Sequence, residues 1–426
     1  MKLGFSSVCI NPETEVELSG YGWYLERKAT GVMDDIFAHA LYLQQTPSPA
    51  LLIGCDLLAL SPYIVNRVKA ALAEELSMNQ EQIILSCIHT HTAPSAAQTI
   101  GCGEMSWDYV TFLISKLIEA GKAAAAVLYP VTNVRFGQAE IEPIGYNRAY
   151  LDGTPGPVDS NVYVTCFDLE GEKPYLMVNY SCHPVILGPK KEISPDYPGD
   201  LVEVLKERGY HSIFLNGCCG DIDPISNRDK WGAGSKETIH TYALRLADGV
   251  EKALESAEPV DFTTLKTAAF TFTLDAQELD WPALEAAIAA DYGSYEEGSP
   301  IQKASVKWLE LMKRKVLTQS NPYQETVYIQ AFRIGKFVYI AAQGELFTQI
   351  GADVRKALSD SFVIFNENAN AAIRYVADDR DIDMGQYAGG LQSNLVYAQL
   401  PLKKGSLAHF ARSISEGVKE MLPIGI

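Results

Sequence analysis

Apolar residues along the chain form two patterns: short runs typical of strands, and stretches spaced three to four positions apart. The runs predict strands over Leu3–Ile10, Ile36–Gln44, Ala50–Leu60, Gln82–Ile88, Thr132–Gly137, Val162–Leu169, Tyr175–Tyr180, His211–Leu215, Phe262–Thr273, Thr326–Ile334 and Phe337–Ala342. The helical spacing predicts helices over Pro62–Leu76, Trp107–Leu128, Asp200–Arg208, Glu237–Ser256 and Leu407–Met421. This mixture predicts an α/β fold, with mixed β-sheets layered with helices.

Residues 278–320 differ from their surroundings, because they are charged, rich in helix formers and free of candidate chemistry. We interpret them as an inserted pair of helices. No repeat, low-complexity tract or Pro/Ser-rich linker marks a boundary elsewhere. We therefore predict one catalytic domain over residues 1–426, long enough to bury a large core.

The net charge of the chain limits the classes of binding partner that we expect. With 35 Lys+Arg against 53 Asp+Glu, the net charge is −18. Nucleic acids and anionic membrane surfaces select basic faces, so we expect neither partner and predict a small-molecule substrate. No signal peptide pattern and no apolar stretch of about 18 residues is present, so a cytoplasmic location is expected. Several of the eight cysteines lie within apolar strand-like runs, which predicts buried free thiols.

Three of the seven histidines follow apolar strands at the point where a loop begins. They are His89, His91 and His183. In open α/β sheets, sites are assembled at the carboxyl ends of strands. His89 and His91 are separated by one residue, so in extended backbone both point to one face. This pattern permits a shared metal, or one ligand with an acid/base group beside it; a pair of structural, hydrogen-bonded histidines is the alternative.

Two further strand ends carry carboxylates. The segment Asn216–Asp223 is dense in Gly and Asp, and its Asp221 and Asp223 can bind metal or hydrogen-bond a ligand histidine. Glu345 follows the apolar strand that ends at Ala342, where the alternative is an acid favoured by a helix N-terminus. The GxSxG elbow, the P-loop and HExxH are absent.

The order of motifs along the chain resembles that of a known family. The motifs are Gly20-Tyr21-Gly22, the strand closing in Asp56, His89–Pro94, Asn147-Arg148, His183-Pro184, Asn216–Pro224, Gly344-Glu345, Asn370–Val376 and Tyr387–Gly390. From about Gly4 to Leu402 they resemble the catalytic N-terminal domain of the neutral/alkaline (non-lysosomal) ceramidases. The resemblance implies the fold of that domain, without the further immunoglobulin-like domain that these enzymes carry.

The resemblance also implies one catalytic zinc ion. Its ligands would be His89, His183, Glu345 and Tyr375. His91 would lie beside the metal as an acid/base or positioning group, while Arg148 and Tyr387 would face the substrate carbonyl and its oxyanion. Zinc prefers such N/O ligands and supplies a nucleophilic water near neutral pH. Glu and Tyr ligands also accept manganese or iron.

The chain departs from the family at Asp223, which stands where the family has a serine. An aspartate there brings a charge, and would act as a general base, a cation acceptor for an amino substrate or an additional metal ligand. The secretion signal typical of ceramidases is also absent from the sequence. Together with the acidic charge and the absence of an apolar or basic surface helix, these departures argue against ceramide in a bilayer.

The function predicted from the sequence is a zinc-dependent, amidase-like hydrolase that cleaves an amide or ester bond in a small polar substrate. Metal-activated water would attack, and His91 and Asp223 would move protons. One alternative is a metal-dependent lyase, isomerase or ring-opening enzyme acting on a sugar or cyclitol. The other alternative is a non-catalytic metal- or ligand-binding protein.

Overall fold

The computed structural model describes residues 1–45, 48–150, 154–292, 298–371 and 373–424, with backbone alone over 287–292. The strands in this part of the chain are β1 (Lys2–Cys9), β2 (Gly31–Val32), β3 (Phe37–Gln44), β4 (Ala50–Cys55), β5 (Ile83–Cys87), β6 (Tyr129–Glu140), β7 (Gly145–Asn147), β8 (Asn161–Leu169), β9 (Tyr175–Tyr180), β10 (Glu192–Ile193), β11 (His211–Asn216), β12 (Ile222–Pro224), β13 (Glu258–Pro259), β14 (Leu265–Asp275), β15 (Gln324–Ile334), β16 (Phe337–Ala342), β17 (Glu345–Leu346), β18 (Phe362–Asn366) and β19 (Tyr375–Val376). The helices are α1 (Pro62–Leu76), α2 (Trp107–Ala126), α3 (Asp196–Glu207), α4 (Lys236–Glu255), α5 (Trp281–Tyr292), α6 (Pro300–Thr318), α7 (Thr348–Ala357), α8 (Asp379–Met384), α9 (Leu391–Val396) and α10 (Ser406–Met421).

Two mixed sheets form the centre of the fold. The larger has nine strands in the order β11-β9-β8-β6-β1-β3-β4-β5, with β13 added beside β6. Its β4–β5 and β9–β11 pairs are parallel and its other pairs are antiparallel. The smaller sheet has the order β14-β15-β16-β18, with a parallel β16–β18 pair. The predicted mixed α/β architecture is confirmed.

The sheets pack face to face, and helices cover their outer faces. The core between the sheets joins Phe167 and Met177 of the larger sheet to Phe332 and Tyr339 of the smaller one. Separate apolar clusters seat α1 and α2 on β3–β5, and α3 and α4 on β8, β9 and β11. A further cluster seats α7 and α10 on the smaller sheet. Strands buried on both faces explain the continuous apolar runs in the sequence.

Most predicted elements occur, with shifted ends. The run Ala50–Leu60 is a strand only to Cys55. Its remaining apolar residues are also buried, in the turn before α1, where the Ser61 side chain caps the helix by accepting from the Ile64 N–H. A buried turn thus shows the same run of apolar residues as a buried strand. Helix α3 also differs from its prediction, because it begins four residues before the predicted start, at Asp196.

The predicted helical pair at 278–320 corresponds to α5 and α6, while residues 293–297 lie outside the described residues. Trp308 of α6 is fully buried and donates from Nε1 to the Gln399 carbonyl at 2.8 Å. This contact fixes α6 beside the segment that follows α9. That the pair is an insertion, and that the chain is a single domain, stay predictions.

Two expectations from composition can be compared with the structure. All eight cysteines are free, and all except Cys9 are buried, as predicted. Within the described ranges, no helix has both the length and the apolar character needed to cross a membrane.

Candidate metal centre

Strand ends bring the predicted metal-ligating side chains to one place. His89 and His91 follow β5, and His183 follows β9. Glu345 opens β17, which pairs in parallel with β19 so that Glu345 lies opposite Tyr375. Side chains from distant parts of the chain therefore meet where the two sheets adjoin.

The backbone orients two of the imidazoles. His89 Nδ1 lies 3.1 Å from the Leu58 carbonyl oxygen, and His183 Nδ1 lies 3.1 Å from the Ile222 carbonyl oxygen. An imidazole that donates from Nδ1 to a carbonyl presents a lone pair at Nε2 when neutral. The Nε2 atoms of His89 and His183 face the same Glu345 Oε2, at 3.1 and 3.2 Å. His89 has a positive φ of 72°, a strained backbone that directs its ring to this point.

Two imidazole nitrogens and a carboxylate oxygen converge on one point, which is the arrangement that a metal site needs. Burial and the nearby Arg148 guanidinium lower the pKa of His183. Burial alone would raise the pKa of the Glu345 carboxyl, but the adjacent His89 and His183 imidazoles hold it well below its ordinary value. His89 Nε2 lies close to Glu345 Oε2, but it forms no hydrogen bond with that oxygen or with any other described residue. The donor set of imidazole nitrogens and a carboxylate oxygen therefore fits a divalent ion of the zinc type.

His91 completes a cluster of three imidazoles. Ligand atoms of His89, His91 and His183 all lie within 4.8 Å of one another, so the three can hold a metal ion. Both ring nitrogens of His91 are buried and have no hydrogen-bond partner in the described part of the chain. Burial and the other two imidazoles hold the pKa of His91 well below its usual range. His91 is thus neutral, with a lone pair free for a metal or a proton.

Tyr397, which the sequence analysis missed, holds Glu345 in place. Its hydroxyl donates to Glu345 Oε1, while Oε2 faces the imidazoles. Tyr397 is buried at the end of α9, far along the chain from Glu345. A buried aromatic after a short helix resembles an ordinary core residue, so its sequence context carried no signal for this role.

The predicted ligand Tyr375 and the predicted Arg148 are hydrogen-bonded to each other. Arg148 Nη2 donates to the Tyr375 hydroxyl at 3.0 Å and to the Gly220 carbonyl at 2.9 Å. Arg148 Nη1 donates to Asp223 Oδ1 at 3.1 Å. Burial and the Glu345 charge raise the pKa of Tyr375 well above its usual value. Asp223, the departure from the family serine, is therefore the ion-pair partner of Arg148.

The hydrogen bonds of Asp221 differ from the sequence prediction, which gave it a metal ion or a ligand histidine as its partner. Its Oδ1 accepts from the N–H and the hydroxyl of Thr348, at 2.8 and 2.9 Å. Its Oδ2 accepts from Asn147 Nδ2 at 2.7 Å. Burial raises the pKa of Asp221 to about 6, although these hydrogen bonds oppose the rise. Asp221 thus ties the start of α7 to β7 and β12.

A cavity of about 400 Å³ opens onto the cluster. The site residues in its wall are His89, His91, Arg148, Glu345, Tyr375, Tyr387 and Tyr397. Tyr387 is 44% exposed, with its ring centroid 5.6 Å from that of Tyr375. A second cavity of about 260 Å³ is lined by Asp221 and Asp223 and shares Arg148, Trp231 and Tyr387 with the first.

The turn at residues 20–22 forms the wall beside His91, a role that the sequence motif alone did not indicate. A Cβ atom added at Gly20 would lie 2.4 Å from His91 Nδ1, so only glycine fits there. The Tyr21 ring centroid lies 4.9 Å from that of His91, and Tyr21 has a positive φ of 63°. The turn therefore positions His91 by packing rather than by hydrogen bonds.

Comparison with solved structures identifies the fold. The crystal structure of neutral ceramidase from Pseudomonas aeruginosa superposes with a TM-score of 0.74 and 17% sequence identity, covering 100% of this chain and 75% of that one. A ceramidase structure complexed with C2 gives a TM-score of 0.75 at 16% identity, covering 100% and 76% of the two chains. No family sequence profile matches the chain, and no curated protein sequence matches it. The chain has a neutral ceramidase-like α/β fold, which confirms the resemblance drawn from its motifs.

Proposed function

We propose that this protein is a metal-dependent hydrolase that cleaves an amide or ester bond in a small-molecule substrate. The supporting observation is the pair of imidazoles of His89 and His183, whose Nδ1 atoms are bound by backbone carbonyls and whose Nε2 atoms face one carboxylate oxygen of Glu345. The neutral ceramidase-like fold adds support through the hydrolytic activity of the enzymes named ceramidase.

His89, His183, Glu345 and Tyr375 would hold the metal, zinc in the first instance, with manganese or iron as alternatives. When bound, zinc acts as a Lewis acid and activates a water molecule near neutral pH. The resemblance gives the ligand role to Tyr375, and its register opposite Glu345 supports this assignment. Tyr397 keeps Glu345 in position through its hydrogen bond to Oε1.

The remaining site residues would transfer protons and stabilise the negative charge that develops during the reaction. His91 would accept a proton from the attacking water, since both its ring nitrogens are buried without a hydrogen-bond partner among the described residues. The water oxygen bonds to the carbonyl carbon, the C–N or C–O bond breaks, and His91 returns the proton to the leaving nitrogen or oxygen. Arg148 and Tyr387 would donate to the oxygen on which negative charge develops. Asp223 would hold Arg148 rather than move a proton, because it already pairs with that guanidinium.

The function is tested by turnover in heavy-oxygen water. Zinc-loaded protein is incubated with small N-acetyl amides and acetyl esters, and we expect one labelled oxygen in the acid product. An unlabelled isomer would instead establish the lyase or isomerase alternative. Absence of turnover with every compound, together with stoichiometric zinc, would favour a binding protein.

The ligand assignment is tested by removing one imidazole. We expect His183→Ala to lose bound zinc and turnover together. The matched control is His240→Ala, because His240 is a surface residue whose Nδ1 lies 2.8 Å from Asp200 Oδ2. Stoichiometric zinc retained by His183→Ala would contradict the assignment.

A further inference from the structure

The cavity above the metal centre has a distinctive wall of aromatic side chains with hydrogen-bonding groups. Besides Tyr375, Tyr387 and Tyr397, it includes Tyr21, Trp23 and Trp231. Such side chains combine an apolar ring with a polar N–H or O–H. The chemistry of this wall bears on which molecule enters it.

Tyr21 presents a hydroxyl that nothing in the described chain satisfies. Its oxygen is buried and has no hydrogen-bond partner among the described residues. A buried hydroxyl left without a partner is destabilising and uncommon, and phenol groups in protein interiors usually find one. The strained φ of 63° and the T-shaped contact with Trp231 at 5.4 Å hold the ring in this position. The hydroxyl of this cavity-lining residue therefore has an unused hydrogen bond.

A cationic substrate is disfavoured in this cavity because arginine side chains already lie over several of its aromatic rings. The guanidinium of Arg27 lies 4.8 Å from the Tyr21 ring centroid. That of Arg148 lies 5.9 Å from the centroids of both Tyr375 and Tyr387. At Tyr21, Tyr375 and Tyr387, a ring face that would attract an ammonium group is thus already next to a guanidinium.

Anions are disfavoured because the cationic side chain in the wall is already paired. Arg148 Nη1 bonds to Asp223 Oδ1, where a serine would leave the guanidinium without a counter-charge. Burial and the nearby Asp196 charge raise the pKa of Tyr21 well above its usual value, so its hydroxyl stays a proton donor. Apart from the metal centre and the paired Arg148, the described wall offers neutral donors and ring faces.

We infer that the substrate is a neutral, polyhydroxylated molecule of monosaccharide or cyclitol size carrying the scissile acyl group, and that Tyr21 is a specificity-determining residue that donates to one of its oxygens. This inference rests on the proposed function. Hydroxyl and ether oxygens accept from the wall, the C–H faces of the ring lie against Trp and Tyr, and a volume of about 400 Å³ suits a ligand of this size.

Three N-acetyl amides of different charge test the substrate class on zinc-loaded protein. They are N-acetylglucosamine, which is neutral, N-acetylglycine, which is anionic, and N-acetylethylenediamine, which is cationic. We expect amine release from N-acetylglucosamine with a kcat/KM at least tenfold above that of either charged amide. Preference for a charged amide would overturn the inference.

Tyr21→Phe tests the specificity residue, with Tyr63→Phe as the control because Tyr63 is 47% exposed and lies outside the cavity wall. We expect Tyr21→Phe to raise KM for N-acetylglucosamine at least tenfold with little change in kcat. Zinc content should be unchanged and Tm equal to or above that of the wild type, because the variant removes an unsatisfied buried hydroxyl. A lower Tm or an unchanged KM would overturn the role of Tyr21.

A binding measurement separates this inference from the proposed function. If no amide is hydrolysed, calorimetric binding of N-acetylglucosamine that is lost in Tyr21→Phe would support the inferred ligand class and overturn amide hydrolysis. Absence of both binding and turnover of N-acetylglucosamine would overturn the inference itself.

Discussion

The hydroxyl of Tyr397 and the carboxylate of Glu345 are joined by a hydrogen bond, which leaves the second carboxylate oxygen to face two imidazoles. Hydrogen bonds to metal ligands fix their orientation, and their loss typically weakens metal binding about 10–100-fold. If Glu345 is a metal ligand, as proposed, Tyr397 therefore acts on the metal through Glu345.

We expect Tyr397→Phe to weaken zinc binding about 10–100-fold while the fold is retained. Competition with a chromogenic chelator measures the zinc Kd, and circular dichroism checks the fold. Tyr63→Phe provides the control with an exposed tyrosine. An unchanged Kd in Tyr397→Phe would mean that Glu345 is not a metal ligand or needs no support.

Gly20→Ala is expected to lower kcat/KM about 100-fold, because the added Cβ would lie 2.4 Å from His91 Nδ1 and displace the ring. Gly22→Ala is the matched control: Gly22 also has a positive φ, of 93°, but its added Cβ meets no atom within 4 Å. Backbone strain is common to both variants, so their difference reports the contact with His91.

The same variant decides between two ligand sets. If His91 is an acid/base group, Gly20→Ala should lose turnover and keep stoichiometric zinc. If the three imidazoles together hold the ion, as their mutual distances within 4.8 Å permit, zinc should be lost as well. Metal analysis of the purified variant distinguishes the two outcomes.

Asp223→Ser introduces the serine that the ceramidase resemblance implies at this position, and it frees Arg148 from its counter-charge. We expect the preference for N-acetylglycine over N-acetylglucosamine to rise at least tenfold, since a free guanidinium attracts a carboxylate. The stability loss should be at the lower end of the roughly 3–5 kcal/mol seen when a buried ion pair is broken, because the Arg148 side chain is 22% exposed. Asp223→Asn should show the same shift in preference with a smaller loss, because it keeps the acceptor oxygen.

Lys69 predicts a pH dependence of stability that is independent of the metal centre. Burial lowers the pKa of Lys69 to about 7 from 10.5, and its amine donates to Gln330 Oε1 at 2.6 Å. Between about pH 7 and 10.5 the unfolded chain therefore binds a proton that the folded chain does not. Over this window Lys69 makes the free energy of unfolding rise with pH, by about 1.4 kcal/mol per pH unit where the two states differ fully.

Replacing Lys69 by Met should remove this rise. Urea unfolding at pH 7.5 and 9.5 measures the difference in slope between the variant and the wild type. Lys122→Met is the control, because Lys122 is an exposed residue paired with Glu75. Parallel pH profiles for Lys69→Met and the wild type would contradict the lowered pKa.

Much of the fold was predictable because long strands and helices carry periodicity. The clustering of the three histidines was predictable because each lies shortly after such a strand. The pairing of β17 with β19 was not, since each strand has two residues and their register is set by tertiary packing. Tyr397 was missed because a buried aromatic is usually a core residue, and its contact with Glu345 depends on how α9 packs.

The position of the candidate metal centre, where the two sheets adjoin, has a consequence for the order of folding. His183 follows a strand of the larger sheet and Glu345 follows a strand of the smaller one, and the two residues are 162 positions apart in the chain. Because closing such a long loop has a large entropic cost, we expect these contacts to form late and the metal to bind after the sheets have docked. Metal bound to the folded protein would add about 2.7 kcal/mol to the free energy of unfolding at one hundred times its Kd. It would also slow the separation of the two sheets.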